Sequence, residues 1–152
     1  MPRGFIYNSM FIGEYQHTLD DKGRVAVPAK FRSELKNGLV VTQGLDKCLV
    51  AYTAEEWGKV ALKLAAMPVV KSDSRAFARF MLAKAMDLEL DGQGRVMLPD
   101  YLRRYANLKK EVVITGLYTR LEIWDKGSWE KYSANVSKNS AEVAEKLGEL
   151  GI

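Results

Sequence analysis

The stretch LDDKGRVAVP at residues 19–28 occurs a second time in the chain, as LDGQGRVMLP at residues 90–99. Six of the ten positions are identical, and each position of the second copy follows its counterpart by 71 residues. Further matches continue after one inserted residue and include the tryptophan pair Trp57 and Trp129. Self-similarity at a fixed spacing indicates an internal repeat.

The repeat divides the chain into four predicted segments. The first repeat covers residues 14–57 and the second covers 85–129, with linker helices over 58–84 and a helical tail over 130–152. A unit of about 45 residues is too small to bury a core alone, so the two copies should share one core around a pseudo-twofold axis. A β-barrel closed by both copies, with the helices outside it, would leave no exposed sheet edge. The expected fold class is therefore α+β.

Each repeat contains the same predicted order of elements. A strand is expected first, weakly patterned at 14–19 and strictly alternating at 86–91. A tight turn and a short strand follow, and a helix then begins at Pro28 or Pro99 because proline is tolerated in a first helical turn. Two more strands are predicted in each repeat, at 39–42, 49–52, 112–115 and 121–124.

Helix signals mark the connections between the repeats and after them. Thr53 and Glu56 form the pattern of a capping box, which predicts a helix that continues to Met67. Residues 68–70 break this helix, and a second one is expected from Ser72 or Ser74 to Lys84. Asp125 is the matching N-cap in the second repeat.

The repeated turn is the candidate functional motif. An aspartate suits such a turn because it accepts hydrogen bonds from the backbone N–H groups that follow, and a glycine supplies backbone freedom. An arginine that leaves the turn presents a planar fork of donors, which suits a phosphate or the O6/N7 edge of guanine. The alternative is an intramolecular Asp–Arg pair that only stabilises the turn. These residues are Asp20, Gly23 and Arg24 in the first copy, and Asp91, Gly94 and Arg95 in the second.

The charge distribution favours the first repeat as the one that binds a polyanion. The chain has a formal net charge of +4, and the whole excess lies in residues 1–83, where 12 basic residues face 8 acidic ones. The first turn carries Lys22 where the second has Gln93, which cannot neutralise a phosphate. Lys30 and Arg32 follow the first turn and are further candidate DNA contacts.

Several function classes are disfavoured by composition. A single histidine, His17, and a single cysteine, Cys48, leave few ligands for zinc and no partner for nucleophilic catalysis. The sequence has no nucleotide-binding glycine loop, no membrane-length apolar stretch and no pattern of a secretory signal at its start. We therefore expect a cytoplasmic non-enzyme without catalytic residues, metal or cofactor. A small hydrolase that uses the adjacent Asp20 and Asp21 is the weakest alternative.

Taken together, these segments resemble the MraZ family over residues 10–134. The resemblance is carried by MFIGEY at 10–15, the two turns, Leu102-Arg103-x-Tyr105-Ala106, and Ile123-Trp124 with Trp129. Residues 1–9 precede the point where the family pattern begins, and the tail after residue 134 does not follow it.

The resemblance implies a fold and a function. The fold would be two tandem AbrB-like swapped-hairpin repeats in one barrel, assembled into homo-oligomeric rings. The function would be that of a sequence-specific DNA-binding transcriptional regulator of the division and cell-wall gene cluster. It would bind G-rich direct repeats in the protein's own promoter region, in the cytoplasm on the nucleoid. Lys22 and Arg24 would be the principal DNA contacts and Arg95 their counterpart. An AbrB-like module that binds a protein partner, as an antitoxin does, remains the alternative.

Overall fold

The computed structural model of the chain describes residues 10–148. Residues 1–9, which precede the family pattern, and the last residues of the predicted helical tail, 149–152, lie outside the described residues. The strands are β1 (Phe11–Thr18), β2 (Arg24–Ala26), β3 (Leu39–Gln43), β4 (Leu49–Thr53), β5 (Met86–Leu88), β6 (Arg95–Met97), β7 (Glu111–Tyr118) and β8 (Leu121–Asp125). The α-helices are α1 (Ala54–Ala65), α2 (Ser72–Ala78), α3 (Asp100–Tyr105), α4 (Lys126–Lys138) and α5 (Ser140–Lys146).

The strands form two antiparallel sheets. The larger one has six strands in the order β1-β7-β8-β4-β3-β5 and is open, with β1 and β5 at its edges. The smaller one, called the ribbon below, consists of β2 and β6 alone. The mixed α and β content matches the predicted fold class.

Strand pairing crosses between the repeats. The first strand of repeat one, β1, pairs over its whole length with β7 of repeat two, with Phe11 opposite Tyr118 and Thr18 opposite Glu111. The first strand of repeat two, β5, pairs in turn with β3 of repeat one. The ribbon joins β2 of one repeat to β6 of the other. Neither repeat therefore completes its own sheet.

One hydrophobic core is filled from both repeats, as the size argument requires. Val25 and Val96, which face each other across the ribbon, are each 1% exposed and belong to the same buried cluster as the sheet residues. Complete burial of a valine or leucine side chain contributes about 1.5–3 kcal/mol, so the ribbon is fixed to this core by its apolar face. The cluster also contains Phe11, Phe31, Leu35, Val41, Leu49, Leu98, Leu102, Val112, Ile114 and Ile123.

Both predicted helix caps are confirmed by the hydrogen bonds at the start of α1 and α4. The Thr53 hydroxyl accepts from the backbone N–H of Glu56 at 3.1 Å, and the Asp125 carboxylate accepts from the N–H of Ser128 at 3.0 Å. Each cap satisfies one of the N–H groups that lack a partner inside a helix.

Several predicted elements differ in extent or type. The strand expected at 14–19 begins at Phe11, because pairing with β7 extends it, and the strand expected at 86–91 ends at Leu88, where its pairing with β3 ends. The segment after Pro28 is a 3₁₀ helix over Ala29–Leu35, whereas its counterpart after Pro99 is the α-helix α3.

The second linker helix changes geometry before it ends. After α2 the chain widens into a π-helical turn over Arg79–Ala83. Side chains of β3 bond to carbonyls of this turn: the Thr42 hydroxyl donates to the Met81 carbonyl at 2.6 Å, and the Gln43 amide donates to the Phe80 carbonyl at 3.1 Å. These tertiary bonds lie outside any local sequence pattern.

Candidate nucleic-acid interface

The first turn, residues 20–24, is organised by one carboxylate. Oδ1 of Asp20 accepts from the backbone N–H groups of Lys22 at 2.9 Å and Arg24 at 2.8 Å. Its other oxygen, Oδ2, accepts from Nε of Arg24 at 2.7 Å. The same side chain thus closes the turn and holds the arginine that leaves it.

The second turn, residues 91–95, repeats this geometry. Oδ1 of Asp91 accepts from the N–H groups of Gln93 and Arg95, each at 2.9 Å, and Oδ2 accepts from Nε of Arg95 at 2.8 Å. The interpretation that an Asp–Arg pair stabilises the turn is therefore consistent with both copies. This pairing uses only Nε of each arginine and does not assign a role to the terminal amino groups.

A glycine in each turn adopts a left-handed backbone conformation. The φ angle is +83° at Gly23 and +76° at Gly94, a region that other residues enter only with strain. Each glycine carbonyl also accepts a hydrogen bond from the other repeat: Leu98 N–H donates to Gly23 O at 2.9 Å, and Val27 N–H donates to Gly94 O at 3.0 Å. Each turn is therefore bonded to the opposite repeat, and the two turns lie at opposite ends of the ribbon.

Both arginines lie on the outward face of the ribbon. Arg24 is opposite Met97 and Ala26 is opposite Arg95, while Val25 and Val96 point into the core. Because alternate residues of a strand share a face, Arg24 and Arg95 are diagonal neighbours on the solvent side, roughly 7–8 Å apart at the backbone. Met97, on the same face, is 54% exposed, so the face is open to a ligand.

The guanidinium groups are held but not enclosed. The side chains of Arg24 and Arg95 are 27% and 29% exposed. Each bonds to its aspartate through Nε, and no residue in the described part of the chain hydrogen-bonds to their terminal amino groups. Two parallel N–H donors thus remain available on each side chain, in the arrangement that a guanine edge or a phosphate accepts.

The turn carboxylates stay ionised at neutral pH. The backbone hydrogen bond from Arg24 is the largest influence that holds the pKa of Asp20 below its ordinary value, and the Arg24 guanidinium lowers this pKa further. The backbone hydrogen bond from Arg95 acts in the same way on the pKa of Asp91. The carboxylates therefore keep their hydrogen bonds to the turn at the near-neutral pH at which DNA binding is normally measured.

Two more arginines reach the turns, each from the opposite repeat. Arg32 donates from Nε to the Val27 carbonyl at 2.9 Å, and its guanidinium lies where a Cβ on Gly94 would project. Arg103 donates from Nε to the Leu98 carbonyl at 2.9 Å and covers Gly23 in the same way. The structure thus places the predicted DNA contact Arg32 beside the second turn. Sequence reasoning missed Arg103 as a site residue, although the 71-residue spacing relates it to Arg32.

The two predicted lysines occupy different places. Lys22 is exposed at the tip of the first turn. Lys30 lies on the 3₁₀ helix with its ammonium 5.4 Å from the ring centre of Tyr15 in β1 and 5.5 Å from that of Phe31. The structure therefore brings Lys22, Arg24, Arg32 and Arg95 to the two ends of the ribbon and holds Lys30 against aromatic rings.

The remaining titratable candidates offer little chemistry. Burial raises the pKa of the Cys48 thiol far above its ordinary value, which favours the protonated thiol over the nucleophilic thiolate at neutral pH. Burial lowers the pKa of His17, and the neighbouring Arg32 charge lowers it further. Among residues 10–148 no three His, Cys, Asp or Glu side chains are grouped as a metal site would require. None of the helices in this range is long and apolar enough to span a membrane.

The fold and site define a class: an α+β protein of two strand-exchanged repeats, with a guanidinium-bearing turn from each repeat on one open face. A family model described as "MraZ protein, putative antitoxin-like" matches the chain twice, at residues 10–80 and 81–149. The chain belongs to the MraZ family, and the resemblance inferred from its motifs is confirmed.

Curated relatives extend the match over most of the chain. "Transcriptional regulator MraZ" of Thermoanaerobacter pseudethanolicus is 50% identical over 143 residues, covering 94% of this chain and 100% of the relative. The proteins of the same name from Acetivibrio thermocellus and Moorella thermoacetica are 49% and 48% identical over the same lengths.

Proposed function

We propose that the chain is a DNA-binding transcriptional regulator that reads sequence through the outward face of the ribbon. The observation that carries the proposal is the pair of arginines, Arg24 and Arg95, each fixed by an aspartate through Nε and each with its terminal amino groups unbonded to described residues. The names of the curated relatives, which are transcriptional regulators, support the same function.

Fixing Nε of the arginine is an advantage for recognition. An unrestrained arginine loses rotamer freedom, and hence binding free energy, when it binds DNA. The arginine of each turn loses less, because its aspartate already fixes its orientation. The terminal amino groups can then donate together to O6 and N7 of one guanine, a contact that discriminates against other bases by about 1–3 kcal/mol. Arg24 is the principal reader in this proposal, and Arg95 occupies the equivalent position.

The other cations contribute affinity by neutralising phosphates. Lys22 is exposed beside Arg24 and reaches the backbone that flanks the guanine. Arg32 serves the second turn in the same way, and Lys30 adds charge from the 3₁₀ helix. Contacts of this kind position the protein and weaken steeply with salt.

The DNA site is G-rich direct repeats in the promoter region of the protein's own gene, at the head of the division and cell-wall cluster. A homo-oligomeric ring repeats the same turn at fixed spacing, so several weak contacts act together and match direct repeats. The protein would then act in the cytoplasm, on the nucleoid.

We also interpret the fold as two AbrB-like swapped-hairpin repeats, with repeat boundaries at 14–57 and 85–129. In this interpretation the open six-stranded sheet and the ribbon together surround the common core as a barrel does. The exchange of β1 and β5 between the repeats supports this interpretation, since each pairs with a strand of the other repeat. The burial of the ribbon's Val25 and Val96 in the common core supports it as well.

A second function, binding of a protein partner without specific DNA readout, is favoured by one surface. An aromatic groove of about 580 Å³ lies between the larger sheet and the helices, and exposed apolar side chains border it. Its lining includes Leu45, Tyr52, Phe77, Leu117, Trp124 and Trp129.

One binding experiment separates the two functions. The dissociation constant is measured across a salt series for the DNA upstream of the gene and for scrambled DNA of equal length. DNA recognition requires a preference for the upstream DNA, and Arg24→Ala should remove it. Lys59→Ala, which deletes one exposed cation on α1, is the matched control and should keep the preference. Equal binding of both DNAs by the wild type would favour the partner-binding function.

A further inference from the structure

Each turn is completed by an arginine from the other repeat. A Cβ built on Gly23 would lie 2.8 Å from both Nε and Cζ of Arg103, and one on Gly94 would overlap the Arg32 guanidinium. In both cases the arginine's Nε donates to a backbone carbonyl, Leu98 O or Val27 O, at 2.9 Å. The backbone N–H groups of the same two residues, Leu98 and Val27, donate to the carbonyls of Gly23 and Gly94 respectively.

This arrangement explains why both glycines are buried although they lie in surface turns. The guanidinium of the opposite repeat covers the position that a side chain would occupy, so glycine is required both for its positive φ and for the close approach. The Arg103 side chain is nevertheless 27% exposed, comparable with Arg24. It is therefore at the surface of the first turn rather than beneath it.

The charges at this end of the ribbon make Arg103 distinctive. Within the first turn, Asp20 and Asp21 balance Lys22 and Arg24, so the turn itself carries no net charge. The nearest carboxylate to Arg103 is that of Asp100, at 3.8 Å from Nη2, and Asp100 forms its shorter contact, 2.9 Å, with Arg104. No described residue hydrogen-bonds to the terminal amino groups of Arg103.

We propose that Arg103 is a DNA phosphate-binding residue of the first turn, supplied by the second repeat. Its Nε is held by the protein backbone, and its terminal amino groups bind the phosphate next to the base that Arg24 reads. A guanidinium held in this way provides two parallel donors for phosphate oxygens. The inference rests on the proposed function. It implies that the DNA-binding site at the first turn contains residues of both repeats, Arg24 from the first and Arg103 from the second.

The test compares two variants at this position with two others. Arg103→Ala and Arg103→Gln are titrated against upstream DNA over a salt series, beside Arg24→Ala and the control Arg104→Ala. Arg104 is the adjacent residue on α3, is 73% exposed and carries the same charge. We expect both Arg103 variants to bind about tenfold more weakly, and the slope of log K against log salt to become shallower by about 0.9. Arg104→Ala should keep the wild-type affinity and slope.

The other outcomes overturn the inference in distinguishable ways. Wild-type affinity and slope in both Arg103 variants, with binding lost in Arg24→Ala, would remove Arg103 from the interface and leave the proposed function intact. A weaker affinity with an unchanged slope would reduce Arg103 to a residue that only positions the turn. An equal loss in Arg104→Ala would indicate a nonspecific charge effect. Wild-type binding in all variants would overturn the proposed function itself. If Arg103→Ala fails to fold, Arg103→Gln decides the question.

Discussion

The first and second turns have the same scaffold but different exposed side chains. Their aspartate, glycine and arginine form matching hydrogen bonds that differ in length by at most 0.1 Å. The positions between these residues diverge: the first turn has Asp21 and Lys22, and the second has Gly92 and Gln93. Each end of the ribbon nevertheless has a guanidinium from the opposite repeat.

The shared aspartate, glycine and arginine build each turn, whereas the two positions that differ can change how each turn contacts DNA. Including Arg103 or Arg32, each end carries a net charge of +1, so total charge does not distinguish the two ends. What differs is the presence of a flexible ammonium, on Lys22, at the first turn. The difference between the repeats is therefore expected in phosphate contacts rather than in turn geometry.

The largest effect should come from the arginines themselves. Arg24→Ala should weaken binding to upstream DNA by about 1–3 kcal/mol, because it removes a bidentate base contact. Arg95→Ala should have a smaller effect if the first turn is the principal reader. Dissociation constants measured at matched salt test this order, and a larger loss in Arg95→Ala would reverse the assignment of the two turns.

The turn glycines should matter for stability. Gly23→Ala and Gly94→Ala place a Cβ in a left-handed conformation and against an arginine, which should destabilise the protein by about 1–2 kcal/mol each. Gly92→Ala is the control in the second turn, since a Cβ there meets nothing within 4 Å. Chemical denaturation gives the three free energies of unfolding, and equal values would contradict the tight packing at Gly23 and Gly94.

Exchanging the differing residues should produce smaller and opposite changes. Lys22→Gln should make the salt slope shallower by about 0.9, because one phosphate contact is lost. Gln93→Lys should steepen it by a similar amount if the second turn also faces DNA. An unchanged slope in Gln93→Lys would show that the second turn does not approach the phosphates.

The smallest expected effect is on the pH dependence of the free energy of unfolding in acid. The pKa values of Asp20 and Asp91 are lowered in the folded protein. The ionised carboxylates therefore stabilise the fold at a pH above their unfolded pKa of about 3.8, and this stabilisation is lost as the pH falls through their folded pKa values. The difference in unfolding free energy between wild type and the Asp20→Asn, Asp91→Asn double variant should therefore shrink below about pH 3.8. A difference that stays constant down to about pH 2 would contradict this linkage.

Local sequence patterns predicted the features that depend on neighbouring residues. The turn residues and the caps at Thr53 and Asp125 follow from short-range hydrogen bonding, and the caps are confirmed in the structure. The repeat follows from the self-similarity of the sequence. Composition and element order also indicated a mixed α and β fold with a core that both repeats share.

Long-range features did not follow from the sequence. The early start of β1 at Phe11 depends on its pairing with β7, about a hundred residues later in the chain. The π-helical turn bonds to side chains from β3. The position of Arg103 over Gly23 arises from strand exchange between the repeats, which a search within each turn does not reveal.

Recognition of a guanine edge by the Arg24 guanidinium can be isolated in a double-mutant cycle. Wild type and Arg24→Ala are each titrated against upstream DNA containing either guanine or 7-deazaguanine, which lacks the N7 acceptor. Because Arg24 donates to N7, the base change should weaken DNA binding by the wild type but not by Arg24→Ala, with a coupling energy of about 1 kcal/mol or more. Additive losses, equal within about 0.5 kcal/mol, would contradict it.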